Sequence, residues 1–548
     1  MSVGNYLRVG GAIALMLSTP MLHAEEGNAS GQSLEEVRNT VINLLKALVD
    51  KGLLTREQAE QMVKQAQQKA TADAAAAAAK NAATAEEDKG AVSVPYVPQI
   101  VKDDISKQVA EEVRPAVVAD VVQQAKKERW GVPEALPEWL SRVRVFGELT
   151  VRGQTDLFAD DNSNQIFDYQ AINLAGGVAK ATYPFLNTTE NRYRMRLRGR
   201  IGVAADLTPN LHAAIRLSSG SLTDPSSASQ TLGTYGGRYT VGVDQAYLAW
   251  DSSPSDRLSL ASVSGGRVVN PWFSPTELVY GRDLTFEGVS GTLRYRWGSG
   301  TADRANVYVT IGGFPMLEVP QANSENKWLV GGQIGTSLPF REASDHLRFA
   351  VAYYDFMNVT GQRNDPESTL LNFTAPAFVR NGNSMFDISN TVDPSVNLFG
   401  LAAHFRLVDI GTSYELGLGS RSLTFSGEAV RNIGYNRNEV EALTGKLQPS
   451  DENTGYVGEF SFGDRLVDRL GKWRVAVGYR YVKRDAVLDA WTDADFHEGG
   501  TNARGYYLWG SYGIAPRTWV RLRYLSGNEI DGDRYAVDIM QLDVTAAF

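Results

Sequence analysis

Residues 192–203, RYRMRLRGRIGV, carry an arginine at every second position from 192 to 200. Successive side chains of a β-strand point to opposite faces of the sheet, so these arginines share one face. Unpaired charge is too costly to bury in a protein core, so this face must contact water. The other face is apolar and carries Tyr193, Met195, Leu197, Ile201 and Val203. The segment therefore predicts a strand that separates water from an apolar medium.

The same alternation recurs through the last three quarters of the chain. Short connections such as 206–209 and 515–516 alternate with long ones such as 357–398 and 485–503. An even number of strands, with tight turns on one side and long loops on the other, is typical of a transmembrane β-barrel and not of a soluble sandwich. The alternation predicts about sixteen strands, near residues 142–157, 191–205, 210–219, 242–251, 256–264, 283–297, 304–314, 328–338, 346–356, 399–408, 421–432, 454–463, 472–484, 504–514, 517–526 and 534–548.

Residues 1–24 predict the compartment. Arg8 is followed by a short apolar stretch over 9–17 and later by Ala24, which is the pattern of a secretory signal peptide. No later apolar run reaches the roughly 18 residues that indicate a transmembrane helix. We therefore expect an exported protein without a membrane-spanning helix.

The region between the signal peptide and the strands has a helical period. Residues 25–90 predict a helical hairpin with an alanine-rich stalk, and residues 91–140 predict a helical linker ahead of a barrel at 141–548. The first helix has a coiled-coil seam that predicts oligomerisation, formed by Leu34, Val37, Val41, Leu44 and Leu48. Alternatively, these helices have no partner, because their apolar content is modest.

Composition excludes several classes of function. The chain has no cysteine, which excludes disulfides, thiolate zinc sites, iron–sulfur clusters and cysteine nucleophiles. The net charge of −9 argues against a nucleic-acid partner, because nucleic-acid-binding surfaces are usually basic. The sequence contains neither G-x-S-x-G nor H-E-x-x-H, and its five histidines are scattered. We therefore expect no enzyme, no cofactor and no resident metal.

Two local features leave alternatives open. Asp493, Asp495, His497 and Glu498 lie in one predicted loop, where they are either solvated charge, which we favour, or ligands of a divalent cation. A serine and a histidine that meet on the lipid face would make a barrel-embedded enzyme, which is the least favoured function.

Four segments resemble the putative porin family of proteobacterial outer membranes. They are GLLTREQAEQM at 52–62, VPQIVKDDI at 97–105, ERWGVPEALPEWLSRVRVFGELTVR at 128–152 and DAVLDAWTDADFHEGGTNARGY at 485–506. The resemblance implies an outer-membrane channel with a helical N-terminal extension, and similarity to general sixteen-stranded porins implies a homotrimer. The terminal Phe548 also resembles the sorting signal that Gram-negative outer-membrane barrels present to the barrel assembly machinery.

The lumen of a sixteen-stranded barrel is too wide for side chains to fill, so we expect an aqueous channel. Charges at the narrowest part of a channel set its selectivity. The pore-lining candidates are Arg142, Arg144, Glu148, Arg152, Arg192, Arg194, Arg196, Arg198, Arg200, Arg294 and Arg296. By resemblance to general porins, residues 265–282 fold inward as a constriction loop lined by Arg267, Glu277 and Arg282.

These features together predict an outer-membrane porin for passive diffusion of small hydrophilic solutes. We expect the barrel to contact outer-membrane lipid and the N-terminal region to lie in the periplasm. The closely spaced arginines need anionic partners, which are Glu148, a loop carboxylate or passing anions. The arginine-lined wall either biases the channel toward anions or serves folding and contacts with lipopolysaccharide. The alternative function is a structural anchor that links the barrel to periplasmic partners through the N-terminal helices.

Overall fold

The computed structural model describes residues 142–252, 258–297, 305–321, 324–340 and 344–548. The predicted signal peptide, helical hairpin, coiled-coil seam and helical linker lie outside these residues. Within the described ranges, the helices are all too short or too polar to cross a membrane.

Sixteen long antiparallel strands follow one another around a barrel. They are β1 Val143–Phe158, β2 Arg192–Asp206, β3 Leu211–Ser219, β4 Val241–Asp251, β5 Leu258–Val269, β6 Thr285–Trp297, β7 Ala305–Leu317, β8 Lys327–Phe340, β9 Asp345–Met357, β10 Phe405–Leu418, β11 Arg421–Asn432, β12 Thr454–Asp464, β13 Trp473–Val482, β14 Ala503–Ala515, β15 Thr518–Glu529 and β16 Ala536–Ala547. The barrel is closed because β1 pairs with β2 and also with β16, from Glu148 opposite Ala547 to Phe158 opposite Val537. The predicted strand number is confirmed.

The two faces of the strands differ as the alternation predicts. On β2, the outward Met195 and Ile201 are 57% and 52% exposed. On β1, the inward Thr150 and Gln154 are buried. Exposed apolar side chains around the outside of a closed barrel contact lipid in a membrane.

Eight loops lie at one end of the barrel, and most of them are longer than the turns at the other end. The loops are L1 159–191, L2 220–240, L3 270–284, L4 318–326, L5 358–404, L6 433–453, L7 483–502 and L8 530–535. L1 contains the helix α1 Tyr169–Ala175, and L6 contains the helix α2 Arg437–Thr444. The loops also contain three short strands, Gln230–Thr231, Met385–Asp387 and Phe399–Leu401. Three 3₁₀ turns complete the loop elements, at Asn372–Thr374, Pro394–Val396 and Phe496–Glu498. Asp168 caps α1 by accepting a hydrogen bond from the Ala171 N–H at 2.9 Å.

Two predicted strands have wrong bounds. The predicted strand 256–264 ends before Gly265, where the loop is expected to begin, but β5 continues to Val269 and stays paired with β6 through Gly265 and Gly266. A Cβ at Gly266 would lie 2.3 Å from the Ala246 carbonyl oxygen, so glycine is needed there for close packing of strands. Similarly, residues 399–401 pair with Met385–Asp387 inside L5, and the barrel strand begins only at Phe405.

L3, L5 and L7 fold into the barrel and cover one side of its inner face. Their apolar side chains pack against inward residues of β5 to β13, and we call this cluster the apolar infill. Its largest members include Trp272, Leu278, Tyr280, Phe286, Phe314, Leu329, Tyr354, Phe356, Phe405, Leu407, Val487 and Leu488. Its rings interlock, with the centroid of Phe286 at 5.1 Å from that of Tyr280 and 5.6 Å from that of Trp491. The infill narrows the lumen from one side.

Candidate functional site

The other side of the lumen is lined by arginines, and we call this set the arginine wall. Its members are Arg152, Arg192, Arg194, Arg196, Arg198, Arg200 and Arg523. The side chains of Arg194 and Arg200 are only 15% and 8% exposed, whereas the outward Met195 between them in sequence is 57% exposed. The structure therefore places the arginines of β2 on the inner face.

Carboxylates from β1 and L7 meet the loop end of the arginine wall. An Arg194 Nη lies 2.5 Å from Asp156 Oδ2 and 3.2 Å from Glu498 Oε1. Arg192 lies 3.5 Å from the same Glu498 oxygen. Glu498 also accepts a hydrogen bond from the Tyr535 hydroxyl at 2.8 Å, so its position is determined from two sides.

Asp495 of L7 occupies the centre of the arginine wall. Its carboxylate lies 2.8 Å from Arg152 Nη1, 2.6 Å from Arg523 Nη1 and 3.9 Å from Arg196 Nη1. Asp543 holds the other edge of the Arg152 guanidinium at 2.7 Å. Burial alone would raise the pKa of Asp495, but the three arginines hold it well below its usual range. Asp495 is therefore an anion at every physiological pH.

Three carboxylates pair with the turn end of the arginine wall, and one of them, Asp244 of β4, lies 3.3 Å from Arg200. Arg200 lies 3.0 Å from Asp283 Oδ1 in L3 and 3.4 Å from Glu148 Oε1 on β1. Arg198 contacts the same pair, at 3.1 Å to Glu148 and 3.4 Å to Asp283. Burial opposes ionisation of Asp283, yet Arg198 and Arg200 lower its pKa. Bound carboxylates, and not only passing anions, thus offset the closely spaced positive charge.

L3 and L7 meet in the lumen and form one constriction. The Gly281 N–H donates to the Trp491 carbonyl at 2.8 Å, and the Thr492 hydroxyl donates to the Leu278 carbonyl at 2.7 Å. A Cβ at Gly281 would lie 2.9 Å from the Thr492 carbonyl oxygen, so the two backbones approach closely only because this residue is glycine. L3 and L7 are therefore held against each other by backbone and side-chain hydrogen bonds.

An open space remains between this constriction and the arginine wall. A cavity of about 140 Å³ is lined there by Arg282, Arg521 and Arg523 among others. The Arg282 side chain is 64% exposed and pairs with Glu277 at 2.9 Å. Arg521 donates to Ser511 Oγ at 2.8 Å and packs on the Trp509 ring, without a carboxylate within ion-pair distance in the described chain. These two guanidinium groups are available to a passing solute.

The remaining predicted pore residues lie elsewhere. Arg142 and Arg144 lie at the turn end of the barrel, where Arg144 is 71% exposed and 3.6 Å from Asp206. Arg294 and Arg296 lie on the inner face of β6, with Arg294 over the Tyr308 ring and Arg296 donating to Ser259 Oγ at 2.9 Å.

One predicted constriction residue lies outside the loop to which it was assigned. Arg267 belongs to β5 and pairs with Glu287 of β6, because β5 extends past Gly266. Glu277 and Arg282 do lie in L3.

Glu148 is the one predicted pore residue among the carboxylates that pair with the arginine wall, whereas the paired carboxylates Asp156, Asp244, Asp283, Asp495, Glu498 and Asp543 are absent from that prediction. Asp495 and Glu498 are interpreted in the sequence as solvated charge or cation ligands, and the structure instead pairs both with arginines. Within the described ranges, no three or more histidine, cysteine, aspartate or glutamate side chains are grouped to hold a metal ion. The only sequence signal for the roles of Asp495 and Glu498 is that their charge is opposite to that of the arginines. This signal does not specify which arginine each carboxylate contacts.

A serine and a histidine do meet in the barrel. Ser337 Oγ lies 2.7 Å from His346 Nε2, near the turn end of β8 and β9. Both side chains share the parity of inward residues such as Gln333 and Ala350, so the pair does not lie on the lipid face.

Comparison with solved structures finds outer-membrane barrels at low identity. The outer membrane channel DcaP of Acinetobacter baumannii is 12% identical, with a TM-score of 0.37, over 74% of this chain and 97% of that one. OprB of Pseudomonas putida is 11% identical, with a TM-score of 0.42, over 76% and 97%. OmpF of Salmonella typhi, solved with daunomycin, is 11% identical, with a TM-score of 0.39, over 74% and 97%.

Comparison with curated proteins by sequence finds no match. The profile of the family described as putative porin matches residues 38–548, which include the whole barrel. The chain therefore belongs to the putative porin family and is an outer-membrane porin.

Proposed function

We propose that this porin passes small hydrophilic solutes by diffusion and favours anions at its constriction. The observation that supports this proposal is that Arg282 is exposed and that Arg521 lacks a carboxylate partner in the described chain, beside the loops L3 and L7 that extend into the lumen. A second, smaller cavity of about 40 Å³ beside the first is lined by four arginines and three carboxylates, Arg282, Arg480, Arg521 and Arg523 against Glu277, Glu459 and Asp493. The larger cavity is lined by five arginines and five carboxylates. Pore-lining charges of one sign raise the local concentration of the opposite ion.

The arginines of β2 are not the residues to which we assign the anion preference. Arg194, Arg198 and Arg200 each contact at least one carboxylate, so their charge is largely offset within the wall. The bias is instead assigned to Arg282, whose side chain is 64% exposed, and to Arg521, which has no carboxylate within ion-pair distance in the described chain.

The test is the reversal potential of single channels in a planar bilayer under a salt gradient. The wild-type channel is expected to prefer anions, and Arg521→Gln is expected to reduce that preference. Arg534→Gln is the matched control, because Arg534 lies in L8 and pairs with Asp161 at 3.3 Å. Equal selectivity of Arg521→Gln and wild type would refute the assignment while leaving the porin intact.

We further propose that three barrels associate through the outer face of β1 to β5. Exposed aromatic side chains, which mark the lipid interface, are sparse there, with Tyr193 and Trp250 on these strands. On β6 to β14 they form a belt of Tyr295, Trp297, Trp328, Phe340, Phe349, Tyr353, Tyr414, Tyr456, Phe460, Tyr479, Tyr506 and Tyr512.

The chain has no cysteine, so a cysteine introduced at one position is the only thiol that a crosslinker can react with. Ile215→Cys on β3 is expected to crosslink between barrels with a bismaleimide reagent. Leu508→Cys on β14 has a similar exposure of 45% against 49% and is expected to stay uncrosslinked. Crosslinking at both positions alike would contradict the proposed interface.

The N-terminal region is proposed to be periplasmic. β1 begins at the turn end of the barrel, and the short turns of outer-membrane barrels face the periplasm. Ser33→Cys should therefore react with a membrane-impermeant maleimide only after the outer membrane is permeabilised. Labelling in intact cells would place this region outside.

Phe548 is proposed as the assembly signal. Its backbone bonds to Gly147 of β1 at 3.0 and 3.2 Å, and its ring is 57% exposed. Deletion of Phe548 is expected to lower the amount of folded barrel in the outer membrane, and the control Ala547→Ser is not. An unchanged yield after the deletion would refute the role.

A further inference from the structure

The apolar infill contains a cavity of about 230 Å³, which we call the infill cavity. Leu284 of L3, Phe314 of β7, Leu401 of L5 and Leu488 of L7 belong to the infill and line this cavity. The infill cavity shares no described lining residue with the cavity between the constriction and the arginine wall. The two spaces are therefore separate sites.

A lysine lines the infill cavity and is buried without a carboxylate partner. Lys327, the first residue of β8, is only 5% exposed and lies on the inner face with Leu329. Its Nζ donates to the carbonyls of Thr374 at 3.2 Å and Ala375 at 3.4 Å, and no aspartate or glutamate of the described ranges pairs with it. A buried charge without a counter-charge is strongly unfavourable. Because an ammonium group carries three protons, Lys327 has one left to donate to an anion.

The other charged residues around the infill cavity do not supply that anion. Arg267 and Glu287 pair with each other. Asp489 of L7 lines the cavity without an ion pair to Lys327, and burial raises its pKa to about 7. At about pH 6 its carboxyl is therefore mostly uncharged. The net charge that faces the cavity at this pH is that of Lys327.

The size and the walls of the infill cavity select the rest of the solute. The rings of Phe314, Phe378 and Trp491 line it. A cavity of about 150 Å³ holds benzene, whereas sites for drug-sized ligands occupy about 300–1,000 Å³. The infill cavity therefore has room for one aromatic ring with a small substituent. Thr223 of L2 and Ala377 of L5 line it and are exposed, so solutes reach it between these two loops.

We propose that the infill cavity binds a small aromatic monocarboxylate, with its ring among Phe314, Phe378 and Trp491 and its carboxylate on Lys327 Nζ. The carboxylate supplies the counter-charge that Lys327 lacks, through a charge-assisted hydrogen bond. The ring contacts discriminate against small aliphatic anions. Because this site is separate from the constriction, the proposed anion preference and the proposed binding site can each fail alone.

Equilibrium dialysis of radiolabelled benzoate against the full-length protein in detergent, at about pH 6, tests this site. We expect saturable binding of a single benzoate per chain. Benzamide has the same shape without the charge, so it should compete at least about tenfold more weakly, and acetate, which lacks the ring, should also compete weakly. Benzamide that competes as well as benzoate would overturn the role of Lys327. Absence of saturable benzoate binding would overturn the site.

Three variants locate the bound benzoate. Lys327→Met keeps the apolar stem and removes the charge, so it should weaken benzoate binding by at least about tenfold. Ala377→Trp places a large ring at the exposed mouth of the cavity and should reduce the binding of both benzoate and benzamide. Lys446→Met is the matched control, because Lys446 is exposed in L6, and it should bind like the wild type. Benzoate affinity equal to that of the wild type in both Lys327→Met and Ala377→Trp would overturn the proposal.

Discussion

The two sides of the barrel's inner face have opposite chemistry, although their strands follow the same alternation. On β1 and β2, inward side chains such as Arg194 and Arg200 are charged and pair with carboxylates. On β6 and β9, inward side chains such as Phe286 and Tyr354 are apolar or aromatic and pack against L3 and L7. The difference arises because a sixteen-stranded lumen is wider than its side chains, so loops fold inside it. These loops present apolar side chains to one side and the carboxylates Asp283, Asp495 and Glu498 to the other. An inward position therefore does not determine whether a side chain is charged or apolar. The loop residues that pack against that side chain determine it.

The largest expected effect on stability comes from creating a cavity in the apolar infill. Phe286 is 1% exposed and contacts the rings of Tyr280 and Trp491. Phe286→Ala should lower the free energy of unfolding by about 3–5 kcal/mol, measured by denaturant unfolding in detergent. Leu293→Ala on the lipid face of the same strand is the control and should cost much less. Equal losses would mean that the infill contributes no more than lipid contact.

The second prediction concerns the pH dependence of L7. Burial raises the pKa of Asp489 to about 7 and that of Asp485 to about 6, above about 3.9 for an unfolded aspartate. The folded state then binds more protons between these values, so its stability falls as pH rises from about 4 to 7. Amide hydrogen exchange across 485–502 should be at least about tenfold slower at pH 5 than at pH 8, after correction for intrinsic rates.

Asp489→Asn should remove much of that pH dependence, because the buried amide does not titrate. Exchange in α2 of L6 serves as an internal reference in the same molecule. A wild-type L7 that is equally protected at both pH values would contradict the prediction.

Asp495→Asn tests the charge balance of the arginine wall. The change leaves Arg523 without its carboxylate at 2.6 Å and Arg152 with Asp543 alone. We expect a loss of about 1–3 kcal/mol in stability and a stronger anion preference in the reversal potential. Asp161→Asn, in an exposed pair with Arg534, should change neither. A weaker anion preference would show that Asp495 does not neutralise the wall.

The smallest effect is expected at the rim. Arg144 and Asp206 are 71% and 40% exposed at 3.6 Å, and exposed pairs contribute about 0–1 kcal/mol. Arg144→Gln should therefore leave stability and selectivity unchanged within error in the same assays. A clear change in selectivity would extend the functional arginines from the lumen to the turn end.

The strand positions were predictable because lipid and water impose a period of two on every strand. The end of β5 was not, since Gly265–Gly266 has the composition of a turn and only the contact with Ala246 keeps it in the sheet. The roles of Asp495 and Glu498 were not predictable either. They lie hundreds of residues from Arg152 and Arg194 in sequence, so only the folding of L7 brings them together.

By itself, the sequence determined the barrel, the number of its strands and which side chains face inward. These properties are local, because the residues of each strand alternate between a lipid-facing side and a water-facing side. The tertiary structure alone decided which inward residues face open space, which are covered and which charges are neutralised. These properties depend on where L3, L5 and L7 fold inside the barrel, and the contacts that hold them join residues far apart in the chain.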